Sequence, residues 1–209
     1  MFSETISSGH SGLLEIISKA KDINDNFYLA GGTALALQLG HRKSFDLDFF
    51  SHDDFNVDDM AFNLSKNLGA TINSTGDNTL YATIDNIKTF FISFKYKILK
   101  DFVKFSNVKL ASFEDIACMK CSAISQRAEK KDFYDLYEIL KRLQPIELRN
   151  LLTEKFDSNG FNPYYMALTF FYFDEVEKSP EPISLNGTTW KIVKNYLIKN
   201  QSKILKAFI

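Results

Sequence analysis

Apolar positions at Leu13, Leu14, Ile16, Ile17 and Ala20 recur at the spacing of one helix face, so the sequence predicts a helix over 13–20. Residues 27–30 are a short apolar run of strand length, which Gly31 and Gly32 break. Thr33 opens a strongly helical stretch, 34–39, that Gly40 stops, giving strand, tight turn and helix in succession. Along 45–50 the pattern switches to a period of two. Phe45, Leu47 and Phe49 fall on one side and Asp46 and Asp48 on the other, as in a half-buried strand. A helix is expected over 57–68, with Asp58 and Asp59 well placed at its positive end. Strands follow at 70–74, 80–85 and 88–96, joined by a turn over 74–78 and a tight turn near Asp85 and Asn86.

Past Leu110 the chain changes character. Ser112 with Asp115 three residues on resembles a helix-capping signal, and helical periodicity runs from 113 to about 127. Further helices fit 132–143, ended by Pro145, and then 146–156, 164–173 and 188–199, with a proline-containing linker near 179–182. The expected class is therefore α+β, with a mixed α/β domain over 1–111 followed by a helical domain over 112–209.

With 209 residues, 45% of them hydrophobic, the chain has ample material for a buried core. It contains no apolar run of about eighteen residues to span a bilayer, so no membrane partner is expected. Residues 1–21 lack the basic start, apolar middle and cleavage site of a signal peptide, and the expected compartment is cytoplasmic. Cys118 and Cys121 form a CxxC inside a predicted helix with no second Cys or His pair, which reads as two inert thiols rather than a redox or zinc site. The net charge of −1 predicts no strong general pull toward nucleic acid, but its distribution is uneven. Residues 1–60 hold ten acidic and four basic side chains, whereas 86–145 hold twelve basic and seven acidic. That asymmetry suits a site that takes a metal and a polyphosphate, and solvated helix faces would produce it equally well.

The chemistry concentrates in 29–50. Glycines at the mouth of a helix expose free backbone amides at the positive end of its dipole, which makes Gly31 and Gly32 donors for phosphate, with the Thr33 hydroxyl beside them. Asp46 and Asp48, two apart on a strand, project from one face about 7 Å apart along the backbone and could hold Mg²⁺. Either element alone is ordinary; a glycine turn, one helix and an acidic strand together point to a phosphate and metal site. No P-loop is present, since GxxxxGK[ST] and its lysine are missing.

Gly-Gly-Thr, twelve residues and Asp-x-Asp resemble the signature of the polymerase-β-like nucleotidyltransferase superfamily. The fuller string GGTALALQLGHRKSFDLDFF is similar to the AbiEii/AbiGii nucleotidyltransferase toxins, one half of bacterial abortive-infection and toxin–antitoxin pairs. Their downstream motif corresponds here to Lys120, Arg127 and the run from Lys131 through Asp132 and Asp135 to Tyr137, so the resemblance covers roughly residues 27–140. It implies a polymerase-β-like core of mixed sheet and flanking helices, NTP as substrate, Mg²⁺ on Asp46 and Asp48, and Lys120 meeting the triphosphate. Arg127, seven residues on, would share nearly the same helix face. Asp132 and Asp135 would belong to the catalytic set, although a salt-bridged helix surface explains their spacing as well. Arg42 either bridges phosphate or pins the helix end to the acidic strand, and Ser44 reads as structural. The acceptor would be an RNA, tRNA included, or a protein hydroxyl, and the protein would have a cognate antitoxin. The alternatives are a small-molecule (antibiotic) nucleotidyltransferase and a degenerate nucleotide- or partner-binding protein. Enzymes of the superfamily generally carry a third carboxylate on a later strand. In 88–96 the sequence offers Ser93 where that acid is expected, with Asp85 as a substitute near a turn. The aromatics among 161–173 could stack a base, but a helix core accounts for them better.

Overall fold

The alternating run around Asp46 forms the centre of a mixed sheet. The computed structural model describes residues 1–156 and 161–209, which divide into two units. Unit 1 comprises Met1–Gly40, Ser44–Tyr96 and Asp101–Ala111; unit 2 comprises His41–Lys43, Lys97–Lys100 and Ser112–Ile209.

In unit 1 the chain forms helix α1 (Ser8–Lys19), a short α2 (Lys21–Asn24), strand β1 (Tyr28–Ala30), α3 (Gly31–Leu39), β2 (Asp46–Ser51) and α4 (Val57–Leu68). The strands β3 (Thr71–Gly76), β4 (Thr79–Ile84), β5 (Ile87–Ser93), β6 (Val103–Phe105) and β7 (Val108–Leu110) follow. The sheet order is β3-β4-β5-β2-β1-β7-β6, with β5 parallel to β2 and β1 antiparallel to it. Leu29, Leu47, Phe49, Leu80, Ala82, Ile84, Phe91 and Leu110 are buried on one face, and the contacts of α1, α3 and α4 with the strands supply the rest of that core. The register puts Asp46, Asp48, Lys88, Phe90 and Tyr81 on the opposite face.

Local chemistry sets the element ends. Helix α1 starts five residues before the first apolar signal, because the Ser7 hydroxyl accepts from the His10 amide and caps the helix there. Gly31, Gly32 and Thr33 form the first turn of α3 rather than a separate break. Phe45, expected on the core side of β2, instead precedes the strand and is 58% exposed; its carbonyl lies 2.9 Å from His10 Nε2. The β4–β5 turn is as tight as expected, with Asp85 and Asn86 at φ 49° and 63°. The β6–β7 hairpin was not expected. Its strands have three residues each, too few to establish a period, around Ser106 and Asn107 at φ 48° and 63°.

Unit 2 is helical: α5 (Phe113–Gln126), α6 (Lys130–Leu140), α7 (Pro145–Lys155), α8 (Pro163–Thr169) and α9 (Trp190–Phe208). Ile116, Phe133, Leu136, Ile139, Leu148, Leu152, Phe170, Val193, Leu197, Ile204 and Phe208 fill its core. Asp115 closes the Ser112 cap and also accepts from the Leu99 and Lys100 amides and from buried Lys155. Helix α9 runs well past the expected end at 199, since Ile204 and Phe208 continue its buried face.

Candidate active site

Antiparallel pairing of β1 with β2 sets Asp48 abreast of Ala30, the residue before α3. The chain turns there through Gly31 at φ 64°, a conformation that L side chains rarely adopt. A Cβ on Gly31 would collide with the Asp48 carboxylate, whose Cγ lies 3.0 Å from that position. The missing side chain therefore lets an acid rest against the amino end of a helix. Asp46 and Asp48 are both half-buried on the same face of β2.

Thr33 does something other than expected. It is fully buried, donates to the Asp46 carbonyl and lies 2.8 Å from the Ser44 hydroxyl, so its oxygen fastens α3 to the start of β2 and is not presented to a phosphate. Ser44 has the structural part anticipated for it. Across β2 from α3, β5 sets Lys88 abreast of Asp46 and Phe90 abreast of Asp48. Ser93 pairs with Ser51 and faces the other way, so the residue beside the aspartates where an acid was sought is Phe90. Asp85 is exposed in the β4–β5 turn. Among the described residues no group of three or more His, Cys, Asp or Glu side chains could hold a metal, so the aspartates stand as a pair.

Unit 2 gathers a second constellation. Asp135, fully buried, accepts from Arg42 Nε at 2.7 Å and Nη2 at 2.8 Å, from His41 Nε2 at 2.7 Å, and pairs with Lys120 Nζ at 2.7 Å. Lys120 also donates to Asp132 at 2.8 Å, and Asp132 accepts from the Glu129 amide at the start of α6. Burial pushes the Asp135 carboxyl up, but the Arg42 and Lys120 cations outweigh it and hold the group well below the usual carboxylate range. Burial likewise depresses the Lys120 ammonium, and Asp135 and Asp132 overcompensate, leaving it raised. The Arg42 fork thus closes on Asp135. Arg127 does not join the group. The helix ends at Gln126, and Arg127 is exposed at its C-cap with φ −154°. The pairing of Arg42 with Asp135 spans 93 residues and left no local signal in the sequence. The CxxC thiols are free and buried; burial pushes Cys118 up to about 12 and Cys121 well above its ordinary value, which keeps both neutral.

Comparison with known proteins identifies the family and the fold. The family model described as nucleotidyl transferase AbiEii toxin, type IV TA system, matches residues 13–99 and 91–191. An uncharacterized protein of Aquifex aeolicus (strain VF5) is 32% identical over 194 residues, covering 88% of this chain and 90% of that protein. Among solved structures, JHP933 from Helicobacter pylori is similar with a TM-score of 0.56 at 16% identity, covering 97% of this chain and 94% of its own. The antibiotic-resistance factor ANT(2'')-Ia is similar with a TM-score of 0.52 at 16% identity, over 70% of this chain and 90% of its own. Both likenesses are of fold: a mixed sheet with flanking helices, class α+β.

Proposed function

Since the chain belongs to the AbiEii nucleotidyl transferase toxin family, we propose that it moves a nucleoside monophosphate from an NTP to a hydroxyl of an RNA acceptor, such as tRNA, with Mg²⁺ as cofactor. The observation that carries this reading is the close approach of Asp48 to Gly31, which sets the acidic pair at the amino end of α3. Free amides at that end suit the phosphate oxygens of the donor.

The residues suit the metal. Mg²⁺ prefers oxygen ligands and is commonly held by one or two protein carboxylates, with substrate phosphates and water completing its shell. Asp46 and Asp48 would supply those carboxylates, and the ion, when bound, would offset negative charge growing on the phosphates. The acceptor hydroxyl attacks the α-phosphorus, a P–O bond forms, the α–β phosphoanhydride bond breaks, pyrophosphate leaves and the hydroxyl proton passes to solvent. Lys120, Arg42, Asp132 and Asp135 neutralise one another, which favours a positioning role for the four over direct contact with NTP.

One observation favours a second reading, nucleotide binding without transfer: Phe90, not an acid, stands abreast of Asp48. The decisive test is incubation with Mg²⁺, each labelled NTP and total tRNA. Transfer is expected to label RNA, and Asp46→Asn or Asp48→Asn to lower it about a hundredfold or more with the melting temperature unchanged. Label on an added aminoglycoside but not on RNA would point to small-molecule modification, and absence of any label to the binding reading. Growth arrest on expression, relieved by a co-expressed neighbouring gene, would be the sign of a cognate antitoxin.

A further inference from the structure

The two flanks of the aspartate strand differ in chemistry. On the β1 flank lie Gly31 and the amino end of α3; on the β5 flank lie Lys88, Phe90 and, one strand further, Tyr81 and Thr83. Neighbouring strands are about 4.8 Å apart, so Lys88 and Phe90 are immediate neighbours of Asp46 and Asp48 on the same face. Lys88 is exposed, and its ammonium makes no hydrogen bond or ion pair with any described residue, although it stands beside an acid. The Phe90 and Tyr81 rings are half-buried and stack at 4.5 Å with 5° between their planes. The ring pair is a directly opposed cross-strand pair that adds modestly to the sheet's stability, and it leaves its half-buried faces beside the aspartates. An uncommitted cation beside a flat aromatic pair is the combination that grips single-stranded nucleic acid, the cation taking a phosphate and the rings a base.

We propose that this β5–β4 flank binds the acceptor as a single-stranded nucleic acid, with Lys88 on a backbone phosphate and the Phe90–Tyr81 pair stacking a base. The proposal rests on the transfer reading above and assigns the acceptor to one side of the aspartates and the donor triphosphate to the α3 side. Phe90 then has a reason to occupy the place of an acid: the position serves to hold the acceptor strand.

The test uses the full chain and a fluorescein-labelled single-stranded RNA of about ten nucleotides with a free 3′ hydroxyl. Its affinity is read by anisotropy, NTP affinity by titration, and transfer in the same samples. Phe90→Leu is expected to weaken RNA binding about tenfold and leave NTP affinity within about twofold. Lys88→Gln, at an exposed position where a substitution usually changes stability little, should lower the salt slope of RNA binding by about 0.7. RNA binding unchanged in both variants would overturn the proposal, as would a loss of NTP affinity in place of RNA affinity. Wild-type protein that binds the RNA, loses it in the variants and yet transfers no label would uphold this face and sink the transfer reading instead.

Discussion

Asp135 illustrates how a single buried charge depends on its partners. With no exposure to solvent, its carboxylate relies on the Arg42 fork, His41 and Lys120 for every interaction. Removing one partner of such a group leaves the others buried and unpaired, which costs about 3–5 kcal/mol. Asp135→Ala is therefore expected to lower unfolding free energy in urea by about that amount, and a loss under 1 kcal/mol would contradict the pairing. The pH dependence follows from two opposite shifts. Asp135 is depressed, so its contribution is present above the unfolded carboxyl value of 3.8 and is lost as pH falls through the lower folded value. Lys120 is raised, so its contribution is present below 10.5 and is lost as pH rises through its higher folded value. Neither shift places a loss of stability near neutral pH, so the Asp135 and Lys120 contributions to melting should both persist there. At this scale the sequence displayed residues that meet in space but not all of their partners. Asp46, Asp48 and Gly31 were readable because turn, helix and strand lie within 20 residues. The closing of Arg42 on Asp135 was not, since it depends on burial and on residues far apart in sequence.

Gly31 and Gly69 both lie at helix ends, and their comparison isolates what α3 does. Gly69 ends α4 at φ 61° with open space around any added Cβ, whereas Gly31 opens α3 at φ 64° against the Asp48 carboxylate. Gly69→Ala should cost about 1 kcal/mol through its backbone alone and leave nucleotide transfer intact. Gly31→Ala should carry the same backbone cost and also displace Asp48, so transfer is expected to fall at least tenfold beyond the Gly69→Ala level. Equal activity in the two variants would separate the diglycine turn from the chemistry. Elements were legible where a period could accumulate: β2 and α4 lie within one residue of their sequence-read limits, because each repeats its pattern over several residues. The β6–β7 hairpin and α2 are too short for that, and caps such as Ser7 extend helices beyond their apolar stripe.

At the scale of the whole chain, the helical unit is not one continuous segment. Besides Ser112–Ile209 it includes His41–Lys43 and Lys97–Lys100. Those two short pieces supply polar groups that its buried acids require: the first carries His41 and Arg42 to Asp135, the second the Leu99 and Lys100 amides to Asp115. A fragment of residues 112–209 would keep its apolar core but leave Asp135 with Lys120 as its sole cation and Asp115 without two donors. Losing the Arg42 pair alone costs about 3–5 kcal/mol, a large fraction of the 5–15 kcal/mol that stabilises an ordinary domain. The fragment is therefore expected to show helical circular dichroism without a cooperative melt near 25 °C. Asp135→Leu within that fragment should restore cooperativity in part, because an apolar side chain there removes the underpaired buried charge. A wild-type fragment that melts cooperatively, as sharply as the full chain, would mean that the inserted pieces contribute little, and that Asp135 and Asp115 find sufficient partners among the helices.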